Sequence, residues 1–171
     1  MEEHVYDALK ILINLSKEAQ EKEKSRQADL SFKEWIKEFC TIYAGSSRGA
    51  GHTEAVIRLI IEDGMNIGYF CAFVPQLKEF KRNYANRFNE LESQIYNQGS
   101  LVFCQCFKNS IDEAYAGRNF SDLDAIVIDN SFFLSKKQKA VIYGGSFAGL
   151  SPSLYGHASL RTKPFYFIFL Q

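Results

Sequence analysis

Two stretches carry residues whose types and spacing could do chemistry. The first is GSSRGAGHTEAV, from Gly45 to Val56, which gathers glycines, serines, an arginine and a histidine into one short segment. The second is SDLDAIVIDN, from Ser121 to Asn130, where an apolar run from Ala125 to Ile128 leads directly into Asp129. A glycine-rich loop between a strand and a helix binds phosphate because its backbone N–H groups curl around the oxygens and the helix N-terminus adds its positive dipole end. A carboxylate delivered by a buried strand to the same sheet edge can hold magnesium beside that loop. Together the two stretches predict a site for a nucleotide or other phosphate group.

Set against the phosphate-loop pattern GxxxxGK[ST], the residues are Ser46, Ser47, Arg48, Gly49, Ala50, Gly51, His52 and Thr53. Gly51 and Thr53 fit. Ser46 stands in the first glycine's place, with Gly45 one position early, and His52 stands in the lysine's place. These eight are the candidate phosphate-binding residues, and Thr53 and Asp129 are the candidate magnesium ligands. A purely structural reading exists for each stretch: a glycine turn made for packing, and a strand ending in an aspartate cap. The correct order on the correct elements favours the phosphate site over either alone.

The elements that must position these residues read as follows. Val5, Leu9, Leu12, Leu15 and Ala19 recur at helical spacing and predict a helix over 4–24. SFKE, from Ser31, matches a capping box and predicts a second short helix with Trp35, Ile36 and Phe39 buried. From Phe39, FCTIYAG reads as a buried strand. After the loop, Ala55, Val56, Leu59 and Ile60 mark a helix closed by Asp63-Gly64. NIGYFCAFV is a second strand, and Pro75 opens a long polar helix. LVFCQCF, LDAIVIDN and PFYFIFLQ complete the strands. Strands alternating with helices predict an α/β fold with a mainly parallel sheet covered on both faces. The expected organisation is one compact unit, with 1–38 as an N-terminal helical extension and 39–171 as the α/β domain. Residues 144–159, GGSFAGLSPSLYGHAS, read as a surface loop that could serve as a lid.

Composition excludes several classes. Lys+Arg and Asp+Glu both total 20, so the net charge is zero and gives no long-range attraction for nucleic acid. A local basic face stays open: KEFKRNYANR interleaves Lys78, Lys81, Arg82 and Arg87 with Phe80, Tyr84 and Phe88. Leu77 and those three aromatics also fall on one helical stripe, which predicts core instead. The four cysteines, Cys40, Cys71, Cys104 and Cys106, lie in apolar runs and read as buried reduced thiols, not as a metal site. MEEHVYDALK lacks a basic, apolar leader, and no run approaches the ~20 residues of a membrane span. The expectation is a cytoplasmic protein without membrane contact.

With these motifs in view, the chain resembles the P-loop NTPases, and among them the RecA-like ATPase domain of helicases and phage terminase large subunits. SSRGAGHT resembles the Walker A loop, FVPQLKEF the strand-to-helix passage that follows, AGRNFSDLDAIVIDN the approach to a Walker B strand, and PFYFIFLQ the next strand, whose polar tip, Gln171, would sense phosphate. The resemblance covers 39–171. It implies a three-layer fold, magnesium with ATP or ADP as cofactors, phage or mobile-element ancestry, and a host-cell cytoplasm if viral. It also implies a catalytic glutamate after Asp129, where this chain has Asn130, which cannot take a proton near neutral pH. A histidine is shorter than lysine and titrates near neutrality, so His52 is no fixed charge. Losing both groups impairs hydrolysis. Arg48, Arg118, Arg161 and Lys163 are the cations that could substitute. Three readings follow: a phosphate-binding domain with weak or no hydrolysis, an ATPase subunit completed by a neighbouring chain, and an interaction-only protein with a dead site. The length to Gln171 leaves no room for a nuclease or second helicase lobe, so a self-sufficient motor is not expected. Protein partners or self-association fit all three readings.

Overall fold

The computed structural model describes residues 2–30, 32–45, 51–91, 99–106, 123–139 and 164–171. Five strands, β1 (Thr41–Ala44), β2 (Ile67–Cys71), β3 (Leu101–Cys106), β4 (Ala125–Ile128) and β5 (Tyr166–Leu170), form one sheet in the order β1-β5-β4-β2-β3. Every pairing is parallel. The fold is therefore α/β with a parallel sheet, as the alternation predicts, and it is compatible with a P-loop or RecA-like domain. The apolar runs of β2, β4 and β5 have no polar alternation because these central strands are buried along their whole length.

Helices α1 (Glu2–Lys22), α3 (His52–Ile61) and α4 (Val74–Leu91) share one core with one sheet face. Val5, Tyr6, Leu9 and Ile13 of α1 meet the buried stripe of α3 over Ile42, Tyr69, Val127 and Ile168. Each such aliphatic side chain removed from water contributes about 1.5–3 kcal/mol. The opposite face is aromatic: Phe70, Phe103, Phe167 and Phe169 pack with Trp35, Ile36, Phe39 and Cys40. Those last residues come from α2 (Phe32–Trp35) and the wide π-type turn Ile36–Cys40 that continues it.

That turn corrects a strand boundary. The sequence reading begins β1 at Phe39, but the strand begins at Thr41. The Thr41 hydroxyl donates to the Ile36 carbonyl at 2.8 Å, closing the turn, and Phe39 tilts against Trp35 with ring centroids 4.5 Å apart. An apolar run looks the same on a buried helical turn and on a buried strand, so its period could not decide.

The first helix is tied to the sheet by polar contacts as well. Gln20, 8% exposed, donates to the Phe165 carbonyl at 3.1 Å and accepts the Phe165 N–H at 3.3 Å. Tyr6 and Lys10 both donate to Asp63 at 2.9 Å, beyond the end of α3. Gly64, at φ 69°, gives that end its left-handed residue, as Asp63-Gly64 predicts.

Candidate functional site

The two chemical stretches meet at the C-terminal edge of the sheet. β1 ends at Ala44, and the chain re-enters the described residues at Gly51, whose φ of 90° and ψ of 25° are open to glycine at little cost. The Gly51 carbonyl accepts the Ala55 N–H at 2.9 Å, so α3 starts with His52 and Thr53 in its first turn. The leading N–H groups of a helix have no acceptor within it. Ser46, Ser47, Arg48, Gly49 and Ala50 lie outside the described residues, as do Arg118, Arg161, Lys163 and the 144–159 segment.

From the other side, β4 delivers Asp129, which is 2% exposed. Its carboxylate is enclosed by donors from three directions. Tyr69 Oη donates to Oδ2 at 2.7 Å and Gln76 Nε2 donates to the same oxygen at 2.7 Å. The Asn130 N–H donates to Oδ1 at 2.8 Å, and His52 Nδ1 stands 3.5 Å from Oδ1. A carboxylate this deep is tolerated because its lone pairs are met. The fold explains the convergence. β2 lies beside β4 and supplies Tyr69, and α4, beginning three residues past β2, brings Gln76 in its first turn. The Tyr69 ring stacks on Phe80 of α4 with centroids 3.8 Å apart. Burial, then the nearby Asp129 charge and the hydrogen bond to it, hold the Tyr69 phenol well above its ordinary range, so it stays a donor at neutral pH.

The other expected site residues take different places. Asn130 adopts φ 54°, a left-handed conformation asparagine tolerates, and its role here is the backbone bond to Asp129. Thr53 is half-buried in the first turn of α3. Gln171 is exposed past β5, and its N–H donates to the Ala44 carbonyl at 3.0 Å, which sets it at the end of β1. Tyr69, Gln76 and Ser131 were not singled out from sequence. A phenol inside the buried run IGYFC needs a polar partner, and that was a usable signal for Tyr69. Ser131 Oγ and Gln76 Oε1 are buried and have no hydrogen-bond partner among the described residues.

The donors around Asp129 decide whether it can hold a magnesium ion. Two carboxylate oxygens offer about four acceptor positions. Three are taken by donors within 2.8 Å, and the fourth direction faces an imidazole. The residues present do not fit direct ligation of a cation by Asp129. Among the described residues there is no cluster of three or more His, Cys, Asp or Glu side chains able to hold a metal.

Two other sequence readings resolve here. Phe80 is fully buried and Leu77 and Tyr84 pack beside it, so this part of the α4 stripe is core, whereas Phe88 is half-buried and outside that core cluster, and Lys78, Lys81 and Arg82 are exposed. Cys71 and Cys104 are free thiols that burial pushes up to about 12. No helix among the described residues is long and apolar enough to cross a membrane. Comparison with protein families, characterised proteins and solved structures finds no match to this chain.

Proposed function

We propose that this chain is a RecA-like P-loop domain that binds a nucleotide or other phosphate group at the N-terminus of α3, with weak or no hydrolysis. The reading rests on one observation: His52, at the end of the loop after β1, lies 3.5 Å from Asp129, at the end of β4, although β5 separates the two strands. Ligands of open parallel sheets bind at this kind of carboxyl-edge crevice. The chemistry for turnover is thin. His52 supplies no fixed charge, and Asn130 offers no base.

A second reading, interaction only with a dead site, draws support from the same carboxylate, three of whose acceptor positions are met by the protein itself. Calorimetric titration with ATP, ADP and a non-hydrolysable ATP analogue separates the two. Binding that weakens in a His52→Ala variant, with no measurable phosphate release, supports the first reading. Silence at millimolar nucleotide, in the parent and in His52→Lys alike, would leave the interaction reading standing.

A further inference from the structure

We propose that Asp129 is a positioning carboxylate for Tyr69 and Gln76 instead of a ligand to a divalent cation, so that the site takes its phosphate group without magnesium. The second half rests on the phosphate-binding reading above; the first half stands on geometry alone. Each donor on Asp129 is fixed by a different part of the core. Tyr69 is fully buried and stacked on Phe80, Gln76 sits in the first turn of α4, and the Asn130 N–H is aimed by its own left-handed backbone. For a cation to reach Oδ2, one of two 2.7 Å bonds must break. Breaking the Tyr69 bond strands a buried hydroxyl, which lowers cation affinity by roughly ten- to a hundredfold. Magnesium gives up its waters reluctantly and demands near-ideal octahedral geometry, so it has little with which to offset that loss. A water-bridged ion meets the same obstacle, because the bridging water also needs a free acceptor position on the carboxylate.

The remaining face of Asp129 points at His52. At 3.5 Å the ring nitrogen stands at ion-pair range of Oδ1, longer than a hydrogen bond, so the imidazole closes that side of the carboxylate by its bulk. That ring stands at the first position of α3.

Three measurements on the intact chain test this. Proton NMR should show the buried Tyr69 hydroxyl proton as a slowly exchanging downfield signal that shifts in Asp129→Asn; a signal lost to rapid exchange overturns the positioning role. Stoichiometric manganese, a paramagnetic stand-in for magnesium, should leave the Gln76 side-chain amide and the Asn130 N–H signals sharp; selective broadening of both overturns the cation-free site. Titrations with ATP and with pyrophosphate, in EDTA and in magnesium, should give affinities within about threefold of each other. A gain of about tenfold or more with magnesium, lost in Asp129→Asn, overturns this inference and leaves the phosphate reading intact. No binding in either medium removes the phosphate reading and magnesium-free binding together.

Discussion

Tyr69→Phe removes one oxygen and leaves the ring on Phe80, which makes it a clean probe of the buried carboxylate. The lost bond is a 2.7 Å donation from a fully buried phenol to a carboxylate that is 2% exposed. A hydrogen bond to a charged group contributes about 1.5–3 kcal/mol. Asp129 keeps Gln76 on Oδ2 and the Asn130 N–H on Oδ1, so the cost falls in the lower part of that range, about 1.5–2 kcal/mol. For a domain of this size each kcal/mol moves the melting temperature by about 2–4 °C, which predicts a drop of about 3–8 °C. The assay is urea and thermal unfolding followed by circular dichroism, with an unchanged urea slope showing that the two variants expose the same surface. An unchanged or raised midpoint would refute the reasoning, since it would mean that the hydroxyl does not support Asp129.

Three further outcomes follow from the core and its edges. Gln20→Leu should destabilise by about 2–3 kcal/mol, because it removes both hydrogen bonds between Gln20 and the buried Phe165 backbone; a change below about 0.5 kcal/mol would show that α1 is not anchored through this residue. Gly99→Ala drives a Cβ into the Met65 carbonyl oxygen, a backbone atom that cannot turn aside, so a loss of about 2–3 kcal/mol or more is expected; wild-type stability by chemical denaturation would contradict it. Stability should also fall as pH rises above about 9. Burial raises the thiols of Cys71 and Cys104 from near 9 to about 12 and the phenol of Tyr166 from near 10 to about 12, and it holds Tyr69 well above 10. The folded chain keeps these protons while the unfolded chain releases them, so their contribution is whole below the unfolded values and is lost on the way up to the folded ones. A urea midpoint flat from neutral pH to 11 would contradict this, and Tyr69→Phe should soften the decline above 10.

Much of the fold was legible because its signals are local. Pro75 and Gly64 mark a helix start and a helix end through backbone restrictions that no distant contact alters, and both serve as read. Of the stripe Leu77, Phe80, Tyr84 and Phe88, the first three declare their buried side through period, while Phe88 stays half-buried outside the core. The Phe39 boundary was not legible, since the hydrogen bond from Thr41 to Ile36 that shapes it leaves no mark in an apolar run. In the site, Asp129 and His52 could be named from sequence because each ends or begins an element. Gln76 could not, as nothing in FVPQ says that its amide reaches a carboxylate 53 residues later in the chain.

The sequence by itself determined the alternation of buried strands and amphipathic helices, the delivery of Asp129 to a strand end and the opening of α3 at His52. These depend on hydrophobic period and on residues with restricted backbone, which act within a few positions. The tertiary structure alone decided the strand order, which sets β5 between β1 and β4, and the enclosure of Asp129 by Tyr69, Gln76 and Asn130. A carboxylate's chemistry depends on what fills its lone pairs, and those partners are chosen by packing across the sheet, not by neighbours along the chain.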